Sequence, residues 1–123
     1  MKQITTKKKH FYMMQAVKDF MREQSGDIKQ ELNNIVWRLE TEGALVMPYG
    51  EKISGENLFA IRVIQAGNIR VFYVYGINDI VYGIHAYTKK TQTIPREHKE
   101  YALKVLKALI TGGLVKRKNT PIF

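Results

Sequence analysis

Two arginines, a histidine and a tyrosine lie on what read as three successive strands: Arg62 in LFAIRVI, Arg70 in IRVFYVY, His85 and Tyr87 in IVYGIHAY. These runs are rich in β-branched and aromatic residues and are parted by the turn-forming stretches QAGN and GIND, the pattern of a three-stranded antiparallel meander. Side chains of a strand alternate between faces. A three-residue loop at Ala66-Gly67-Asn68 would pair Ile64 with Arg70 and Arg62 with Phe72, setting both arginines on one face. An even loop within GIND would pair Tyr75 with Ile80, putting His85 opposite Arg70 and Tyr87 next along the same face. The opposite face would then carry Phe59, Ile61, Val63, Ile69, Val71 and Tyr73 with Ile80, Tyr82 and Ile84, an apolar surface for helices to cover. The arginine face would be left for a ligand.

Arginine forks stabilise negative charge building up on a phosphate, and His and Tyr side chains move protons. Together these suit RNA cleavage, in which the 2′-hydroxyl is an internal nucleophile and neither metal nor cofactor is required. A phosphate-gripping RNA binder could hold the same groups. Taken singly, each arginine could be an ordinary solvent-exposed strand residue and His85 a hydrogen-bonded partner in the sheet; their convergence argues against this.

Other chemistries find no support. His10, His85 and His98 are far apart in sequence, no H-x-x-x-H occurs, and aspartate is confined to Asp19, Asp27 and Asp79, so a metal centre is not expected. There is no G-x-S-x-G, no P-loop pattern and no G-x-G-x-x-G, which leaves no sign of a hydrolase elbow, a nucleotide loop or a cofactor. The absence of cysteine removes thiol nucleophiles and disulfide frameworks and is compatible with a reducing compartment.

The elements that must position the strand residues follow from helical periodicity. Met13, Ala16, Val17, Phe20 and Met21 fall on one face of a helix ending near Ser25-Gly26. Asp27 with Gln30 can cap a second helix, in which Ile28, Leu32, Ile35, Val36 and Leu39 share a face until Gly43. Residues 44–57 hold Pro48, Gly50 and Gly55 and read as an irregular connector. After the polar loop TKKTQT, Pro95 opens a third helix with Ala102, Val105, Leu106 and Leu109 on one side, ending at Gly112-Gly113. The predicted fold is thus α+β, two N-terminal helices packed on a small antiparallel sheet with a C-terminal helix. It forms one domain over residues 1–123, with a basic leader at 1–10 and a basic tail at 112–123. No repeat is present, and 123 residues suffice for one core.

The net charge of +9 is unevenly spread: residues 1–10 carry +4, 11–57 carry −3, 58–94 carry +3 and 95–123 carry +5. Basic ends of this kind attract polyanions, and nucleic acid is the leading partner. The first residues lack the apolar run of a secretory signal, and no segment approaches the ~20 apolar residues of a membrane span. A cytoplasmic location is expected, with no membrane association.

The stretches Leu58 to Arg62, Arg70 to Tyr73 and His85 to Pro95, the last with its Lys89-Lys90-Thr91-Gln92 block, resemble the RelE/HigB superfamily of type II toxins, most nearly its phage-derived HigB-like branch. The likeness runs from about Ala16 to Leu109, with Ala86-Tyr87 where the family has Gly-Phe. It implies a RelE-like fold and a ribosome-dependent endoribonuclease acting on translated mRNA, with growth arrest as the outcome. It also implies neutralisation by an antitoxin, often a helix-turn-helix protein; rRNA contact by the basic leader and tail, which lie outside the pattern, is expected from their charge alone. By position Arg62 and Arg70 match the phosphate-holding residues, and His85, Lys89 and Lys90 the motif that ends the last strand; Arg62, Arg70 and His85 are the catalytic candidates and Lys89, Lys90, Gln92 and Tyr87 the RNA-binding ones, with Tyr87, where the family has Phe, either stacking on a base or filling the edge of the core. A noncatalytic RNA- or DNA-binding module of phage or mobile-element origin is the alternative, and a plain protein-interaction domain a third.

Overall fold

The computed structural model describes residues 6–53, 55 and 57–117. In chain order the elements are β1 (His10–Met13), α1 (Gln15–Arg22), α2 (Gly26–Glu42), β2 (Gly50–Lys52), β3 (Phe59–Val63), β4 (Ile69–Tyr75), β5 (Ile80–Thr88) and α3 (Arg96–Thr111). The strands form one sheet in the order β1-β5-β4-β3-β2. β1 runs parallel to β5, and every other pair is antiparallel.

The sequence expectation of two N-terminal helices on a small antiparallel sheet is therefore corrected. A strand precedes the helices, and the sheet is mixed and five-stranded. Met13 belongs to β1 rather than to the first helix, because residues 10–13 pair in register with residues 80–83. The supposed connector contains β2, which pairs Gly50 with Ile61 and Lys52 with Phe59. Both edge strands are too short to show a hydrophobic alternation. α2 is capped by Ser25, whose Oγ accepts from the Ile28 N–H at 3.3 Å, rather than by Asp27, and it ends at Gly43 in the left-handed region at φ 84°.

Both faces of the sheet are buried. On one side α1 and α2 bring Val17, Leu32, Ile35 and Leu39 onto Ile61, Val63, Val71, Tyr73 and Val81. On the other, α3 brings Ala102, Leu106 and Leu109 onto Leu58, Ala60, Phe72, Val74 and Ile84. The face expected to be open is thus largely a second core.

The described parts of the two basic ends are built into this structure. Lys7 pairs with Glu40 and Lys9 with Asp79, each at 3.1 Å, and the Lys8 and Lys9 N–H groups donate to the Glu40 carbonyl. Beyond α3, Val115 is buried and the Leu114 carbonyl accepts from the Ile77 N–H. Residues 1–5 of the expected leader and 118–123 of the expected tail lie outside the described residues. Among the described residues no helix is long and apolar enough to cross a membrane.

Two contacts fix the sheet's geometry. At Gly83 an added Cβ would stand 2.7 Å from Cζ of Phe11, whose ring packs edge-on against Tyr73. At the other end, Glu31 of α2 accepts from the N–H groups of Ile64, Gln65 and Ala66, at 2.8, 3.1 and 2.6 Å. Burial raises the Glu31 pKa, but these three donors outweigh it and hold the carboxyl below its usual 4.5. A carboxylate so held stabilises the fold fully above the unfolded pKa, and that contribution is lost as pH falls through the depressed folded value.

Replacing Gly83 by Ala should cost about 1–3 kcal/mol through overpacking against Phe11, read from urea unfolding. Glu31→Gln should lose about 2 kcal/mol at pH 7, as expected for hydrogen bonds to a charged group. The gap between its unfolding midpoint and that of the native protein should close as pH drops below 4.5.

Candidate functional site

The two arginines are direct cross-strand neighbours: Arg62 of β3 pairs with Arg70 of β4, flanked by Ile61–Val71 and Val63–Ile69. The expected pairing of Arg62 with Phe72 is displaced because the turn takes in Ile64 and Gln65 as well. Since the shift is of two residues in the pairing sum, both guanidinium groups still share a face. Like charges directly opposite each other on a sheet are unfavourable, so other groups must hold them.

For β5 the structure departs from the expected ladder twice. Tyr75 pairs with Val81 rather than Ile80, across a turn in which Asn78 and Asp79 take φ 58° and 59°. That slip turns Ile80, Tyr82 and Ile84 away from the α1–α2 side; Tyr82 and Ile84 are buried in the α3 core, against which Ile80 packs. The register then shifts between Tyr73↔Gly83 and Phe72↔His85, leaving Ile84 as an extra residue, a β-bulge. The bulge restores the original parity. His85 comes opposite Phe72 rather than Arg70, Tyr87 takes the place opposite Arg70, and both face the arginines' side.

Arg70 is 3% exposed, the one buried charged side chain among the described residues. Its Nη1 donates to the Ile69 carbonyl at 3.1 Å and to Asn68 Oδ1 at 3.3 Å, while Nε lies 3.8 Å from Glu51 of β2. Burial lowers its pKa, the like charge of Arg62 adds to the fall, and Glu51 and Tyr87 oppose it. It stays cationic, as guanidinium does in proteins. Arg62 donates to the Pro48 carbonyl at 3.1 Å. Three buried donors on this face, Arg62 Nε, Arg70 Nε and the Tyr87 hydroxyl, have no hydrogen-bond partner among the described residues. Burial raises the Tyr87 pKa against the pull of Arg70, with Glu51 adding to the rise. The phenol therefore stays protonated and able to donate.

The N-terminal turns of α3 complete the site. His85 Nε2 lies 2.8 Å from His98 Nδ1, the His98 ring stacks on Tyr87 at 4.3 Å and 11°, and Tyr101 stands 4.7 Å from the His85 ring. Burial, and secondarily His98, pulls the His85 pKa down to about 4. Beside these rings is a groove of about 420 Å³ lined by Tyr87, Thr88, Lys90, Thr91, Glu97 and His98 among others.

Of the residues singled out from sequence, the structure gathers Arg62, Arg70, His85 and Tyr87 on one face and sets Lys90 on the rim of the groove. Lys89 is half-buried, its backbone exchanging hydrogen bonds with Asn68. Gln92 is exposed in the following loop, outside the groove lining. Sequence reasoning passed over Glu51, His98 and Tyr101. His98 had a signal: it lies four residues before Ala102, one helical turn back along the buried stripe of α3. Glu51 had none, lying in a segment with no strand pattern. Among the described residues no group of three or more His, Cys, Asp or Glu side chains could hold a metal ion.

The face thus gathers two arginines, two imidazoles and aromatic rings, with the three unpartnered donors buried beneath its surface. A family model of phage-derived Gp49-like proteins (DUF891) matches residues 19–107, and the chain belongs to this family, a RelE- and toxin-like one. The matched span takes in every residue of the candidate site. No curated protein matches the chain.

A histidine whose folded pKa is depressed stabilises the fold above its unfolded value of 6.5 and loses that contribution as pH falls toward 4. The native protein should therefore weaken between pH 6.5 and 4, a higher window than that of Glu31. His85→Gln should show a shallower decline over the same range in urea unfolding, and the His85 ring resonances should titrate near pH 4.

Proposed function

We propose that the protein is a metal-independent endoribonuclease, the toxin of a type II toxin-antitoxin pair of the HigB-like kind, cutting mRNA on the ribosome and so arresting translation and growth. The observation that supports this most is the cross-strand Arg62–Arg70 pair with its unpartnered donors, set beside titratable rings in a chain of a toxin-like family. A phosphate carries negative charge and only acceptors, and the half-buried Arg62 guanidinium, backed by the buried Arg70, offers it positive charge and a fork of donors.

In the reaction the 2′-oxygen attacks the adjacent phosphorus and the 5′-oxygen leaves, giving a cyclic phosphate and a free 5′-hydroxyl. Arg62 and Arg70 stabilise the phosphorane, the buried Tyr87 supports the His98 ring stacked on it, and His85 with its partner ring serves proton transfer. Lys89, Lys90 and Gln92, together with rRNA contacts, hold the RNA. A helix-turn-helix antitoxin would neutralise the protein.

Primer extension on mRNA in a purified translation system, with and without ribosomes, tests the reading. Cleavage should need the ribosome, and Arg70→Ala should slow it by 10²–10³, about 3 kcal/mol of barrier. Because Arg70 is buried, Arg70→Lys should be run alongside; it keeps the charge but loses the fork, and should be impaired with its melting temperature largely kept. Salt-sensitive RNA binding with no scission would mean a noncatalytic binding module instead.

A further inference from the structure

We infer that His98, on the first turn of α3, is the group that takes the 2′-hydroxyl proton, and that His85 is its positioning partner. This rests on reading the protein as an RNA-cleaving enzyme.

The geometry divides the roles between the rings. A nitrogen–nitrogen contact of 2.8 Å holds a single proton, so one ring donates and the other accepts. His85 sits in the sheet between Phe72, Tyr87 and Tyr101, whereas His98 lines the open groove. A charge on His85 would be buried, so the proton gained by the pair belongs on His98. The consistent arrangement has His98 Nδ1–H donating to the bare Nε2 of His85. That leaves His98 Nε2 as a base, and the hydrogen bond to a neutral acceptor stabilises the imidazolium once it forms. Stacking on Tyr87, the residue opposite Arg70, puts this base next to the phosphate-holding face.

His98 Nε2 takes the 2′-hydroxyl proton as the 2′-oxygen bonds to phosphorus and the phosphorus–5′-oxygen bond breaks. Water supplies the proton that the leaving oxygen needs, and the hydroxide so formed takes the proton back from His98. The titratable and charged groups against the pair are Tyr87 and Tyr101, Glu97 on α3 and Lys90 in the loop, and beyond Tyr87 stand Arg70 and Glu51 on the strands. Of these Glu51 is the rival base.

Single-turnover cleavage on programmed ribosomes from pH 5 to 9 tests the assignment. His98→Gln and His98→Ala should each slow cleavage by ~100-fold or more and lose the acidic limb of the pH profile. Added imidazole should recover part of the rate of His98→Ala and none of that of His98→Gln. His85→Phe should lower kcat with KM kept, because the His98 Nδ1–H loses its acceptor and the ring its tautomer, and His85→Gln, whose amide oxygen still accepts, should restore kcat. A mere clamp between α3 and the sheet would not give the imidazole rescue. Full activity of His98→Gln, or a limb that vanishes only in Glu51→Gln, would overturn the assignment while leaving the nuclease reading intact. A native protein that never cuts would end that reading and the role of His98 with it. Nitrogen-15 spectra of the free protein give an independent check: a proton on His98 Nδ1 and none on Nε2 is expected, and the reverse tautomer would overturn the inference.

Discussion

Strand β5 takes one extra residue, Ile84, between the pairings Tyr73–Gly83 and Phe72–His85, and this bulge sets the direction of every side chain beyond it. Before it, β5 serves the sheet's attachment to β1: Val81 faces the α1–α2 core, and Gly83 leaves room for the Phe11 ring. After it, His85 and Tyr87 face α3 and the arginines. An unbulged strand with the same turn would send His85 and Tyr87 into the α1–α2 core, where a polar ring and a donor would find apolar neighbours. Bulges re-aim side chains next to functional sites in many sheets, and here the device separates a packing half of the strand from a chemical half.

The arginine pair needs its own supports. Glu31 occupies the N–H groups of the turn between β3 and β4, which keeps the turn at the length that sets Arg62 opposite Arg70. Glu51 lies close enough to Arg70 to offset part of the repulsion, at a distance too long for a hydrogen bond. The result is a cationic pair that is held in place and incompletely satisfied, a state more costly to the fold than an apolar core.

Much of this could be read in the residues, and the parts that could not have physical causes. The three long strands announced themselves through β-branched and aromatic runs parted by turn residues. The arginines' common face followed from parity, which survives any register change of two. His85 and Tyr87 reached the right face although the expected ladder was wrong, because the slip at Asn78-Asp79 and the bulge at Ile84 cancel; neither has a sequence mark distinct from an ordinary turn or strand. β1 and β2 escaped notice because edge strands of four and three residues carry no period. His98 was set aside on sequence distance from His85, a measure that a helix folding back over a sheet makes irrelevant. The assumption of one open face failed for the same reason, since the stripe of α3 already implied a surface to cover.

The parallel pairing of β1 with β5 also governs how the chain can fold. Lys9 and Asp79, which meet at the mouth of that pair, stand 70 residues apart in sequence. The first strand therefore has no partner until residues 80–83 have been made, and closing so long a loop comes late in folding. The site is later still, because His98 and Tyr101 follow β5. During synthesis the amino-terminal helices can form early, but a nascent chain short of α3 has its arginines without the imidazole pair.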